Sequence, residues 1–248
     1  MKKFEFYCRW DADCPLDYRS SSLFHGVLMH TLKAEYAQYL HQTSVAEFHQ
    51  QLIFDGDHLC WTIYVLTDKA AERIDKDFYT NVESFYLEQK DLTVRVEKKS
   101  QDGGISYLDW YLKHTTRSSY PTKVKIRFLS PTSFKSYNKY LQEPSLSLCY
   151  RSLIMRLGSL QQTVTFPKKI WSQLAEQTAV LEQTIEKTSF PLEKTKIPAF
   201  KGELLLELKG NKEDLTMMNL LWHYAEYAGI GVKTALGMGA VEVTFIHD

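Results

Sequence analysis

The stretch "AGIGVKTALGMGAVEV" (Ala228–Val243) carries four of the chain's 11 glycines within 11 positions. The helical pattern "LTMMNLLWHYAEYAG" precedes it, and the strand-like "GAVEVTFIH" follows it. A dinucleotide-binding fingerprint needs the opposite order, with a strand leading into the glycines and a helix leaving them. The context therefore argues against a Rossmann site and predicts a helix that ends at Gly229, a natural left-handed cap.

The glycine loop is suited to contact phosphates through its backbone. Glycine adopts positive φ and lets another chain come close, so a G-x-G-x5-G-x-G loop can aim several peptide N–H groups at one surface. A sugar-phosphate strand is a natural partner for such a surface. A tight helix-to-strand connection without a ligand is the alternative that the glycines leave open. The candidate RNA-binding residues are Gly229, Gly231, Lys233, Thr234, Gly237 and Gly239.

The segments before the loop predict a strand, two helices, a strand and a third helix, and "GAVEVTFIH" closes the series. In chain order they are "KVKIRFLS" (123–130), "PSLSLCYRSLIMRL" (144–157), "KKIWSQLAEQTAVLEQTIEK" (168–187), "KGELLLELKG" (201–210) and "DLTMMNLLWHYAEYAG" (214–229). This is the ferredoxin-like pattern, which also underlies the RNA-recognition fold, with an extra helix.

The first half of the chain predicts the same pattern in the order β-α-β-β-α-β. Residues 4–10 alternate as a strand, a helix opens at Ser21 and runs through "SSLFHGVLMHTLKAEYAQYL" (21–40), and a hairpin follows around an Asp-Gly turn. Asp68 is placed to cap a second helix, and "DLTVRVEKK" (91–99) alternates as a further strand. We therefore predict an α+β protein of two tandem ferredoxin-like (RNA-recognition-motif-like) domains, 1–118 and 119–248.

Composition excludes several classes of function. Lysine plus arginine equals aspartate plus glutamate at 30 each, so no global field draws the protein to nucleic acid or membrane, and polyanion binding must come from a local patch. The four cysteines lack the C-x-x-C spacing of zinc or redox sites. The N-terminus lacks the apolar core of a signal peptide, so we expect a cytoplasmic protein without a membrane partner.

Several segments together carry a resemblance to a known family. The glycine loop, "FHGVLMHTL...YLHQ", "FLSPTSFK" and "IPAFKGELLLEL" resemble the CRISPR-associated repeat-processing endoribonucleases, the Cas-six family. The resemblance spans most of the chain. It implies paired ferredoxin-like domains, CRISPR repeat RNA as the partner and precursor CRISPR RNA as the substrate, and no cofactor. The branch that serves type III interference complexes is the most similar, which implies transient hand-over of the product to such a complex.

The resemblance also implies a chemistry and its residues. The family cuts RNA without metal, as the 2′-hydroxyl attacks the adjacent phosphate and leaves 2′,3′-cyclic phosphate and 5′-hydroxyl ends. Histidine suits the proton transfers because its ordinary pKa is about 6.5. His41 occupies the family's "Y-L-H" position just beyond the predicted first helix, although a histidine at a helix end is by itself more often a cap. His25 and Lys33 share a stripe of that helix with Met29 and are the candidates to assist it.

The chain departs from its relatives at two positions of the site. Some relatives place a tyrosine near Met29 and a lysine shortly after the catalytic histidine, and this chain has neither. His30 and His49 are further candidates to compensate, although each is at least as well explained as a surface or core residue.

Three other features favour structural explanations or leave the choice open. The aspartates of "DGD" (55–57), with His58, are what a hairpin turn requires, which argues against a metal site and a metal-dependent nuclease. Two lysine-rich groups could line an RNA groove or a solvated strand face: Lys123, Lys125 and Arg127, and Lys194, Lys196 and Lys201.

A non-catalytic RNA-binding subunit of an interference complex is the alternative function. A catalytic His41 distinguishes the endoribonuclease from such a subunit, because a protein that only binds RNA does not need it.

Overall fold

The computed structural model describes residues 1–11, 14–43, 45–55, 58–160, 166–167, 169–192 and 195–247. The chain forms two compact units. The first comprises Met1–Ser106 together with Ala235–Gly237, and the second comprises Tyr107–Thr234 together with Met238–Asp248. Within the described ranges, none of the helices has the length and apolar character that crossing a membrane requires.

The first unit contains an antiparallel sheet with the strand order β2-β3-β1-β5-β4. Four of these strands, in the order β2-β3-β1-β5, have the arrangement of a ferredoxin-like sheet, and β4 is added at the edge. The elements are β1 (Lys2–Arg9), α1 (Ser21–Thr31), α2 (Ala34–Gln42), β2 (Phe48–Asp55), β3 (His58–Val65), α3 (Asp68–Ile74), β4 (Ser84–Leu87) and β5 (Leu92–Gln101). The hairpin arms were predicted correctly, but its turn lies outside the described residues.

Trp61 on β3 is the centre of this unit's core. Its ring lies 5.1 Å from the ring of Phe24 on α1 and 5.6 Å from that of Phe85 on β4, measured between centroids. The indole N–H donates to Gln50 Oε1 at 2.7 Å, so this buried polar group is satisfied. The core therefore packs α1 against the face of the sheet that carries the Trp61 and Phe85 side chains.

The prediction of one helix from Ser21 to Leu40 was wrong, because α1 and α2 are separate. Leu32 and Lys33 have extended ψ values of 147° and 136°, which interrupt the helix. Leu32 is buried, so the break turns its side chain into the core. Apolar periodicity continues across the break because both helices pack on the same core, and periodicity alone cannot reveal one extended pair.

The second unit has an antiparallel sheet in the order β11-β6-β10-β9, again the ferredoxin-like arrangement. The long hairpin β9–β10 forms one side of it. The elements are α4 (Tyr107–Thr115), β6 (Lys123–Thr132), β7 (Phe134–Ser136), β8 (Lys139–Leu141), α5 (Leu146–Leu160), α6 (Ile170–Glu176), β9 (Thr178–Leu192), β10 (Thr195–Leu208), α7 (Lys212–Ala228) and β11 (Val241–Ile246).

The predicted long helix over 168–187 was also wrong. The helix formed there, α6, ends at Glu176. Thr178 then begins β9, which pairs with β10 throughout its length. Threonine, valine and isoleucine are frequent in "TAVLEQTIEKT" and favour strands. This strand supplies the fourth position of the sheet, and the extra helix expected there is limited to α6.

Helix α4 belongs to the second unit, which begins at Tyr107, and the division into domains after residue 118 stays a prediction. Trp110 packs on Tyr224 of α7, with ring centroids 5.8 Å apart. His114 packs on His223 of α7 at 4.0 Å. These contacts attach α4 to the last helix of the second unit.

Candidate active site

Helix α1 is held on the first sheet at its first residue. Gln50 of β2 donates from Nε2 to the carbonyl oxygen of Ser21 at 2.9 Å and accepts the Trp61 indole N–H through its Oε1. Gln50 is fully buried, so both ends of its amide are committed to protein groups. The start of α1, and with it the side chains one turn later, is therefore positioned by the sheet.

His25 lies one turn into α1 in a partly buried position. Its ring stacks on Phe48 of β2, with centroids 5.8 Å apart and an interplanar angle of 21°. Nδ1 is buried and has no hydrogen-bond partner among the described residues, while the imidazole hydrogen-bonds the backbone of Ala235. We assign that contact to Nε2, which leaves Nδ1 as the acceptor nitrogen.

The structure brings His25 and His41 within electrostatic reach of each other. Burial, and to a smaller extent the charge of His41, lower the pKa of His25 to about 4 against the opposing effect of the Ala235 hydrogen bond. His25 is therefore neutral near pH 7. His41 is exposed and lies in the last turn of α2, not beyond the first helix as expected.

Lys33 is not brought to this pair. It stands at the opposite end of α2 from His41, and eight residues of helix correspond to about 12 Å of rise. There it lines a cleft with Tyr36, Lys69 and Arg73. A catalytic role for Lys33 stays an untested prediction.

The first unit also contains Met29 and three further histidines, His30, His49 and His58. Met29 and His49 are buried in the first unit, and His49 stacks on Tyr64 with centroids 5.4 Å apart. His30 is exposed on α1. His58 lies 3.3 Å from Glu97 through its Nδ1.

The contribution of the glycine loop to the first unit was missed by sequence reasoning. Ala235–Gly237 cluster with this unit, and a Cβ atom at Gly237 would lie 2.4 Å from the Cβ of Ser21. The absent side chain of Gly237 thus lets the loop approach the first turn of α1. No local pattern predicts this, because Ala235 and His25 are distant in sequence.

Gly231 and Gly239 are required by packing inside the second unit. Both have positive φ, 85° and 72°. A Cβ atom at Gly231 would lie 2.3 Å from the Ser133 carbonyl oxygen, and one at Gly239 would lie 2.0 Å from that of Ile230. Real side chains cannot be accommodated at such distances, so backbone approach within the protein explains these two glycines.

Three of the candidate loop amides already have protein acceptors. The Gly229 N–H donates to Ala225 O at 2.8 Å, the Gly231 N–H to Ser152 Oγ at 3.2 Å, and the Gly239 N–H to Pro131 O at 3.1 Å. Gly229 ends α7 with a φ of 67°, as predicted. Thr234 is buried, and Lys233 is exposed with a φ of 58°. Among the candidate residues of this loop, Lys233 is therefore the one that offers an exposed, charged side chain.

The basic strand residues are largely paired with carboxylates. Lys125 Nζ lies 2.7 Å from Glu203, and Arg127 lies 3.4 Å from Glu242. This pairing favours a solvated strand face over an RNA groove. Lys194, of the second lysine-rich group, lies outside the described residues.

The part of the chain that the structure describes holds no group of three histidine, cysteine or acidic side chains able to bind a metal.

Comparison with known proteins decides the family. Residues 126–241 match the family model described as CRISPR-associated endoribonuclease Cas6. A CRISPR-associated endoribonuclease Cas6 from Streptococcus thermophilus is 30% identical over 223 residues, which cover 89% of this chain and 89% of the relative. The chain belongs to the Cas6 family. A Cas6 from Mycobacterium tuberculosis is 26% identical over 246 residues, covering 94% of this chain and 76% of that protein.

Solved structures share the fold. A Thermus thermophilus Cas6 in a product complex superposes with a TM-score of 0.80 at 19% identity, covering 98% of this chain and 100% of that chain. A RAMP protein described as binding different RNA substrates gives 0.66 at 13% identity, covering 98% and 100%. The predicted tandem ferredoxin-like fold and the family resemblance are thus confirmed, and the type III branch stays a prediction.

Two glycine-to-alanine changes should shift the stability of this Cas6 protein in opposite directions. Gly239→Ala places a Cβ against the Ile230 carbonyl at positive φ, so we expect a loss of about 2 kcal/mol or more in unfolding free energy. Gly26→Ala adds a Cβ in α1 that meets no atom within 4 Å, so we expect a gain of about 0.5–1 kcal/mol. Urea unfolding followed by circular dichroism measures both, and equal effects would contradict this account.

The depressed pKa of His25 is measurable by NMR titration of its imidazole signals. We expect a midpoint near pH 4, which rises in His41→Ala but stays below 6.5 because burial is the larger cause. Unfolded His25 takes up a proton near pH 6.5 and folded His25 near pH 4, so its contribution to stability is lost as the pH falls through that window. A midpoint at 6.5 or above would refute the assigned environment.

Proposed function

We propose that this Cas6 endoribonuclease binds CRISPR repeat RNA and cleaves precursor CRISPR RNA with His25 and His41 as its proton-transfer pair. The observation that carries the proposal is the contrast between the two histidines. His25 is partly buried and neutral, and its Nδ1 has no partner among the described residues. His41 is exposed to solvent and lies within electrostatic reach of His25. Two titratable groups with divergent environments are the usual arrangement of an acid and a base.

The proposed reaction needs one proton removed and one supplied. His25 accepts the proton of the 2′-hydroxyl, whose oxygen then attacks the adjacent phosphorus. The bond from phosphorus to the 5′-oxygen breaks, and His41 gives that oxygen a proton. The products are a 2′,3′-cyclic phosphate and a 5′-hydroxyl, with no water consumed and no metal required. Each transfer typically contributes about 10²–10⁴-fold to the rate.

The loop supplies the proposed contact to the RNA backbone. Lys233 is exposed beside the segment Ala235–Gly237, which lies against α1 near His25. Its ammonium group can neutralise a phosphate of the bound RNA. The mature guide RNA passing to a type III interference complex is a further proposal that rests on the family resemblance alone.

Cleavage of a labelled repeat RNA in excess EDTA tests the chemistry. We expect site-specific cleavage by the native protein and a rate loss of about 10²-fold or more in both His25→Ala and His41→Ala, with RNA affinity retained. His58→Ala, a histidine of the same unit outside the pair, is the matched control and should cut normally.

A substrate with one 2′-deoxy nucleotide at the cut should resist all four proteins, because the attacking hydroxyl is gone. If the native protein binds the repeat tightly without cutting it, the protein is an RNA-binding subunit and the catalytic proposal fails. If EDTA alone abolishes cutting, the proposed metal-free mechanism fails.

The loop contact is tested through the salt dependence of RNA affinity. Lys233→Asn removes the charge while keeping a residue type that tolerates a φ of 58°. We expect weaker binding and a slope of log affinity against log salt that is shallower by about 0.7–0.9, the value of one phosphate contact. Lys125→Ala, whose ammonium is paired with Glu203, should leave the slope unchanged, and an unchanged slope in Lys233→Asn would remove the loop from the interface.

A further inference from the structure

A cavity of about 310 Å³ opens in the first unit between α1 and the segment from β4 to Gln89. Leu23 and Val27 of α1 and Phe85 of β4 form its apolar wall, and Glu88 and Gln89 add polar groups. The volume is at the lower end of the range of small-ligand sites. All of its lining residues belong to the first unit, on a different side of α1 from His25.

Gly26 lines this cavity, and packing does not explain why it is glycine. It lies inside α1, where glycine is less stable than alanine, and its backbone does not require positive φ. A Cβ atom there would meet no other atom within 4 Å, in contrast to the loop glycines. A longer side chain at this position would project into the cavity, so glycine keeps the space open.

The aromatic side of the cavity is held in place. The Phe85 ring packs on Phe24 and Trp61, with centroids 5.3 Å and 5.6 Å away. Tyr86 is half exposed, and its hydroxyl donates to the carboxylate of Asp91. β4 is the edge strand of the sheet, so main-chain groups on its free side also face outward.

The chemistry of the lining favours a base over a phosphate. Among the described residues around this cavity none is lysine or arginine, one is a histidine (His30), and Glu88 brings a carboxylate that would repel an anion. A flat ring with N–H edges suits an apolar wall, a fixed aromatic ring and a carboxylate acceptor. The cleft that contains Lys33, Lys69 and Arg73 is cationic by comparison.

We infer that this cavity binds one unpaired nucleobase of the RNA, preferably one with an exocyclic amino group, and so contributes to substrate selection. The inference rests on the proposed function. Because the cavity and His25 lie on different sides of a helix about 10 Å across, the base belongs to a nucleotide other than those that flank the cut.

The test is an abasic scan of the repeat RNA, made uncleavable by a 2′-deoxy nucleotide at the cut. Native protein should lose about tenfold in affinity at one abasic position away from the cut, the order of magnitude of a base stacked on an aromatic side chain. Gly26→Leu, which fills the cavity, should bind the intact RNA about tenfold more weakly and show no further loss at that position. Phe85→Leu should behave in the same way, because it removes the ring of the apolar wall.

Gly103→Leu is the matched control. A Cβ atom at Gly103 also meets nothing within 4 Å, and this residue lies outside the cavity. It should reproduce the native scan, and thermal unfolding of each variant verifies that it is folded. If every abasic position costs the folded Gly26→Leu protein as much as the native protein, the cavity does not hold a base, whatever else fills it. If the native protein neither binds nor cuts the repeat, the proposed function itself fails.

Discussion

The buried amide of Gln50 is the interaction on which the candidate site depends. A primary amide in the core must satisfy both its donor and its acceptor, and Gln50 does so with the Ser21 carbonyl and the Trp61 indole. The first of these bonds attaches α1 to the sheet at its first residue, and the second attaches β2 to the central tryptophan of the core. His25 and Gly26 follow on the same helix, so the orientation of both follows from this bond.

Glycine has two opposite uses in this molecule. At Gly231 and Gly239 the missing side chain lets two stretches of backbone meet, and at Gly237 it lets the loop meet Ser21. At Gly26 the missing side chain faces open space. The same residue type therefore builds a tight loop in one place and leaves a cavity in another, and only the surroundings of each Cα distinguish the two.

Much of the fold could be predicted from the sequence because strands and helices leave local patterns. The start of α1 at Ser21, the end of α7 at Gly229 and the alternating strands were predicted on that basis. β9 was not, because an exposed edge strand rich in glutamate and glutamine lacks the clear alternation of a half-buried strand, and its pairing with β10 decides its structure. The predicted N-cap of α3 was also wrong by one residue. The Thr67 side chain, and not that of Asp68, accepts the Ala70 N–H.

The candidate site was less predictable because its contacts join distant residues. His41 and His25 were singled out by resemblance and by residue chemistry, but the neutral state of His25 depends on burial and on the nearby His41. The contact with Ala235 comes from the far end of the chain. The loop amides were expected to face RNA, yet those of Gly229, Gly231 and Gly239 donate to protein groups. Hydrogen bonding inside a loop cannot be inferred from its glycine spacing.

A pKa near 4 makes His25 a weak base in the free protein, and this constrains how the proposed mechanism can work. An anionic phosphate placed beside the ring favours the charged imidazolium, so bound RNA opposes the effects of burial and of His41. The base thus strengthens only when substrate is present. Once the product leaves, burial again disfavours the charged form of His25, which then loses its proton. The burial of His25 therefore provides a route back to its neutral state after each cut.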